Sequence, residues 1–227
     1  MKSKYLPGVI FICLVLVLIC AGEVKKAEPR RAGSRGEEPG EVVAGAEARG
    51  EAKIARIRRV EGLGARGLVR TPSYRTDAPG GQKPPGEWVQ ITVYYDTEPE
   101  WVDELLFRYY VLTEITEGGQ KRYSLFRNTV TYIDIEKGRN HMSTVFLRPS
   151  TVKRYGKPVA IGVEMVHQGK VIDEKTEKVM AELPEGKWWE HPRVVESKFV
   201  TIRDGYLLNR AQSPFALINI DDYEVIK

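Results

Sequence analysis

Three histidines, three acid clusters, a tryptophan pair and two groups of basic residues are the side chains that could do chemistry in this 227-residue chain. His141 opens a strand-like run, His167 stands at a hairpin tip, and His191 follows Trp188-Trp189-Glu190. No two of them share the i, i+4 spacing that sets a pair of imidazoles on one helix face for zinc, and no nucleophile motif stands beside any of them. Histidines placed this way are expected to be solvated edge residues. Asp134/Glu136, Asp173/Glu174/Glu177 and Asp221/Asp222/Glu224 offer the paired carboxylates that glycoside hydrolysis or calcium would use. Acids alternating along a strand are more simply its wet face. With no Gly-x-Ser-x-Gly, P-loop or Gly-x-Gly-x-x-Gly run in the chain, no catalytic residue, metal or cofactor is expected.

Binding offers more than catalysis does. Trp188 and Trp189 sit in the run PEGKWWEHP, and exposed paired indoles can stack on a sugar or anchor a protein contact. Lys153 and Arg154 make a small basic patch that could join them as partner or glycan contacts. The simpler alternative puts one indole in the core and the other over a sheet edge, because adjacent residues point opposite ways. Upstream, Arg56, Arg58 and Arg59 surround a weak apolar stripe of Ile54, Ile57 and Val60 near helical spacing. That segment is a candidate basic contact for an anionic envelope surface, or else a solvated charge run within a linker.

The chain that must position these residues divides into three. Residues 1–22 begin with Lys2 and Lys4 and continue with the apolar run from Val9 to Ala21. That run is too short for a comfortable span of a bilayer core of about 30 Å and matches a secretory signal peptide, with cleavage expected before Glu23. Acylation at Cys20 would want a small residue where Ile19 stands, and a prepilin would carry glutamate where Cys13 stands. Both cysteines fall in this segment, so the remainder can form no disulfide. Residues 23–86 hold 11 of the 21 glycines and 6 of the 13 prolines but a single aromatic, Tyr74. Such composition cannot offset the entropy of ordering, and a disordered linker is expected.

Residues 87–227 hold 18 of the 21 aromatics. Period-two alternation runs through WVQITVYYD, with Val89, Ile91, Val93 and Tyr95 on one face, and through LLFRYYVLTEI, with Leu105, Phe107, Tyr109 and Val111 on one face. Further strands are expected at 123–136 (breaking near Asn128), 141–148, 158–168, 170–179, 196–203 and 216–226, with turns at EGGQ, KGRN and Gly169. In the same reading, Val130, Tyr132, Asp134 and Glu136 share one face, and a helical turn capped by Ser150 covers residues 149–156. About eight strands and no long helix read as an all-β, immunoglobulin-like antiparallel sandwich. The net charge of +4 is uneven. The leader and linker are basic and the folded part is slightly acidic, which argues against a nucleic-acid partner.

The runs WVQITVYYDTEPEWVDELLFRYYVL and YSLFRNTVTYIDIEKGRNHMSTVFLRPSTVKRYG resemble the pilus-like immunoglobulin-fold proteins of Verrucomicrobia-type bacteria, best known from Akkermansia. Such proteins are encoded beside a type IV pilus secretin and an actin-like pilus assembly protein. The resemblance covers residues 87–227 and brings no catalytic residues. It implies an exported, non-enzymatic interaction or structural module in the periplasm or outer envelope of a Gram-negative-type bacterium. Its partners would be envelope or pilus-assembly proteins, secretin-linked ones among them, or further copies of itself. A carbohydrate-binding sandwich using Trp188 and Trp189 is the alternative expectation.

Overall fold

Two long strands, β3 (Glu87–Glu117) and β4 (Gln120–Leu147), carry the architecture. The computed structural model describes residues 53–73 and 84–217. The expected leader, most of the expected linker, and the 216–226 strand beyond Leu217 with its acid cluster lie outside those residues. The Gly118-Gly119 turn between β3 and β4 has φ of +57° and +80°. Two consecutive positive φ angles match the right-handed twist of a two-residue hairpin, and glycine adopts them at no steric cost.

The structure fuses strands that the sequence reads as separate. Residues 88–96 and 105–115 both belong to β3, and 123–136 and 141–147 both belong to β4. The DTEPE and KGRN stretches are not chain-reversing turns. They are facing irregularities in one ribbon, with register shifts on either side of Thr97. Side chains hold this corner. Thr97 Oγ1 donates to the Glu136 carbonyl at 2.7 Å and accepts from the Gly138 N–H at 2.9 Å, and the Asn140 N–H donates to Asp96 Oδ1 at 3.0 Å.

The remaining strands add to both sides of this ribbon. They are β1 (Ala55–Glu61), β2 (Leu68–Arg70), β5 (Lys157–His167), β6 (Lys170–Lys178), β7 (Val200–Asp204) and β8 (Leu207–Asn209). The order is β6-β5-β3-β4-β7, with β1 and β2 on the first half of β3 and β8 on the end of β4. This is one open sheet of eight strands, antiparallel except where β7 joins β4 in parallel. The expected all-β class and strand number are present, and the two layers are halves of one folded sheet rather than two separate sheets.

The core lies inside the fold. Val89, Ile91, Val93 and Tyr95 from the first half of β3 cluster with Leu105, Phe107, Tyr109 and Val111 from its second half. The Tyr95 and Phe107 rings are 4.9 Å apart, and Tyr109 Oη donates to Ser143 Oγ at 2.6 Å. Each such apolar side chain contributes on the order of 1.5–3 kcal/mol through burial.

Three local expectations need correction. Ala55–Glu61, read as part of the linker with a weak helical stripe, is a strand paired with β3. Its buried positions, Ala55, Ile57 and Val60, join the core. The alternation of 130–136 also breaks. Val130, Tyr132 and Ile135 are buried while Ile133, Asp134 and Glu136 are exposed, because Asp134 has φ of +52° and shifts the parity of the pleat. On β3, Val102 and Leu105 are buried with Asp103 and Glu104 between them exposed, so both strands slip together and their register survives. Finally, the helical turn α1 (Pro149–Tyr155) begins with Pro149 at its first position and Arg148 before it. Ser150 is not its cap, and proline at that position needs no N–H partner.

Candidate functional site

The outer face of the β5-β3-β4-β7 half carries every second residue of each strand, and strand register decides which of them meet. One cross-strand row reads Ala160, Leu112, Leu125 and Ile202. The next reads Gly162, Tyr110, Arg127 and Asp204, and the one after reads Glu164, Arg108 and Thr129.

The first row is roofed over Ala160, Leu112 and Leu125, while Ile202 at its end stays exposed. Residues 180–199 cross over it with a 3₁₀ turn (Trp188–Glu190) and the short helix α2 (Pro192–Val195). Leu112, Leu125, Ala160, Leu183, Trp188, Trp189 and Val194 form a second apolar cluster there. Trp189 stacks on the Tyr110 ring at 4.8 Å and lies over Gly162, where a Cβ would run into the indole. Both tryptophans are buried, at 0% and 3% exposure. The expectation that Trp188 and Trp189 contact a glycan or partner is therefore corrected, as is the simpler placement of one ring at an edge. The sheet's outer face needed a roof, and both indoles supply it.

The third row is polar and partly enclosed. Glu164 is 2% exposed, yet Lys187 Nζ reaches one carboxylate oxygen at 2.6 Å, and Tyr110 Oη donates to the other at 3.2 Å. Arg108 approaches the same carboxylate at 3.6 Å, and Lys187 also reaches Glu174 at 3.4 Å. Burial first, and the Glu164 charge second, push the Tyr110 phenol up to about 12. It stays a neutral hydrogen-bond donor at ordinary pH.

Beyond that row the face opens into a cleft of about 520 Å³ lined by Arg108, Tyr110, Arg127, Asn128, Thr129 and Asp204, among others. Arg127 holds Asp204 with two parallel bonds of 3.0 Å. This fork keeps the Asp204 carboxyl below its ordinary range. Asp204 ends β7, and Gly205, with φ of +79°, turns the chain away from the sheet. Between Arg127, where β7 ends, and Val145, where β8 begins, the outer edge of β4 has no partner strand among the described residues. The arrangement offers two guanidinium groups, one internal carboxylate and an unpaired strand edge, which suits recognition of an extended acidic chain. Neither arginine belongs to a motif in the sequence. Their convergence follows only from register.

The other residues singled out from the sequence are dispersed. Lys153 and Arg154 are exposed on α1, with the Arg154 guanidinium 5.2 Å from the Tyr155 ring centroid. Arg56 and Arg58 approach buried Asp96 at 3.7 and 3.4 Å. Arg59 reaches Glu61 at 3.0 Å and covers the Tyr94 ring. These three belong to a strand whose charges are matched locally, which corrects their reading as a basic linker segment. Among the described residues, no group of three or more His, Cys, Asp or Glu side chains could hold a metal ion, and no helix is long and apolar enough to cross a membrane.

A protein-family model matches residues 66–227, which is more than half of the chain. The chain belongs to the family that it describes. No curated protein matches the sequence. Among solved structures, a crystal structure of a protein from Akkermansia muciniphila is similar at 20% identity with a TM-score of 0.60, covering 76% of this chain and 94% of that one. At that identity the likeness speaks for the fold.

Proposed function

We propose that the protein is an exported, non-enzymatic interaction module of the cell envelope, with an immunoglobulin-like arrangement of its layers, associated with a type IV pilus or secretin assembly. One observation carries this reading: the sheet stays open on its β4-β7 side. β7 covers β4 only over residues 123–127 and β8 only over residues 145–147. Among the described residues nothing pairs with the outer edge of β7 or with β4 in between. Phe199, Ile202 and Ile133 lie exposed along that border, at 57%, 40% and 42%. Edge strands in isolated domains are blunted or covered, and one left open with apolar residues beside it is suited to strand addition by a partner. The resemblance to Akkermansia-type pilus-like proteins agrees with an envelope partner. The carbohydrate alternative loses its support, because the two indoles on which it rested are buried.

Capture from detergent-solubilised envelopes with the tagged full chain tests the reading. The expected result is co-purification of a secretin or pilus-assembly component, lost on Ile202→Lys. Deletion of the gene should also remove surface pili in electron micrographs. A chain that captures no envelope protein, together with a deletion strain of normal piliation, would contradict it.

A further inference from the structure

A gap of about 300 Å³ enters the fold between its two layers, at the 3₁₀ turn Gly64–Gly67 that links β1 to β2. One layer lends it Leu68 and Val89, which face each other across the β2-β3 pair. The other lends Lys157 and Pro158 from the start of β5, with Val179 just past β6. The chain around the turn contributes Gly62, Gly64 and Ala65, and so no side chain larger than a methyl group. Gly64 has φ of +64°, and a Cβ there would meet nothing within 4 Å. Leu63, between the two glycines, is committed to the core. Val89 is buried whereas Leu68 and Val179 are exposed. The lining therefore runs from core to rim with Lys157 as its one charged side chain.

Charge sets the polarity of what would fit. Lys157 is exposed, and among the described residues its ammonium has no ion pair or hydrogen bond. Arg66, on the same turn, interacts with Glu177 instead. An apolar pocket with a single polar group at its mouth orients a ligand by that group, and here the group is an unpaired cation. We propose that the gap takes the tail of a medium-chain fatty acid, with the carboxylate held at Lys157. This site is separate from the open β4-β7 side and adds a small-molecule ligand to the interaction-module reading.

The two ends of such a ligand meet different environments. Its tail displaces water from Leu68, Val89, Pro158 and Val179, and that removal of apolar surface drives binding. Its carboxylate stays at the rim beside an exposed ammonium, so neither charge bears the full cost of desolvation. A cationic head group on the same tail is repelled there. Burying one methylene strengthens binding by a factor of up to about four. Affinity should therefore climb with chain length until the tail fills the gap, and then level off.

Residue-resolved NMR titration of the full chain with octanoate, decanoate and dodecanoate, each below its micelle concentration, tests this. Decanoate should shift the resonances of residues 62–68, Val89, Lys157 and Val179 saturably, and decyltrimethylammonium should not. Lys157→Gln, at an exposed residue, should weaken decanoate by up to about fivefold and erase the preference over the cation. Ala65→Phe, also at an exposed residue, fills the mouth and should weaken decanoate by roughly tenfold or more, since a comparable apolar area is then already covered. Unchanged resonances elsewhere in each variant report an intact fold. Absence of saturable shifts at these residues overturns the proposal, as do equal shifts from both head groups on the unaltered chain. Decanoate binding that survives both substitutions overturns it too. If decanoate leaves these residues unshifted while Ala65→Phe abolishes capture of an envelope protein, the gap belongs to a partner's side chain: the fatty-acid site fails and the interaction-module reading stands.

Discussion

Two neighbouring stretches of one sheet face have opposite fates. At Leu112, Leu125 and Ala160 the outer surface is roofed by Trp188, Trp189, Leu183 and Val194 into a second core. Four residues along β3, at Arg108, the same face is polar and opens to solvent beside Thr129 and Asp204. The backbone pairing is continuous through both. The contrast comes from side-chain chemistry and from where residues 180–199 stop. On the proposed reading, the end left open is the one available for contact.

Perturbations that sharpen this contrast differ in size. Trp188→Ala empties the centre of the roof and should cost about 3–5 kcal/mol, read as a drop in the denaturant midpoint. A change below about 1 kcal/mol would mean that the roof contributes nothing to the core. Lys187→Ala sits at the border between the two regions. It leaves the buried Glu164 carboxylate with Tyr110 and a distant Arg108, for an expected loss of about 2–3 kcal/mol. Lys187→Arg should recover part of it.

A smaller effect is expected from His141, at the corner of the ribbon. Its ring nitrogen lies 3.2 Å from Thr97 Oγ1, and burial is the main cause holding its pKa below the ordinary value. The neutral form is therefore favoured by folding. Stability should be full above the unfolded value of about 6.5 and decline as pH falls from there toward the depressed folded value. Denaturation at a series of pH values should show that slope, and His141→Gln should flatten it. Smallest is Arg127→Ala in the open region. It removes an exposed pair worth at most about 1 kcal/mol and should leave the midpoint nearly unchanged while weakening partner capture. Equal losses of stability and capture would erase the distinction between roof and cleft.

The faces of the early strands were legible because alternation there is regular. Val89 to Tyr95 and Leu105 to Val111 are buried as their spacing implies. Legibility ended where the backbone left the pleat, at Asp134 with its positive φ. It also failed where composition concealed pairing. Arg56, Arg58 and Arg59 look like linker charge, but Asp96, Glu61 and the Tyr94 ring match them once β1 lies on β3. The tryptophans were misplaced because alternation along one strand cannot say whether another segment crosses above it. The cleft was invisible for a related reason. Arg108 and Arg127 are 19 positions apart and become neighbours only through the β3-β4 register.

Amide hydrogen exchange on the full chain, alone and bound to the envelope component it captures, addresses the open side directly. New protection should be confined to β4 residues 128–136 and to residues 200–205, with the roofed region around Leu112 and Leu125 already protected and unchanged. Protection arising instead on α1 around Lys153 and Arg154, with β4 and β7 exchanging as before, would show that the open edge is not where partners bind.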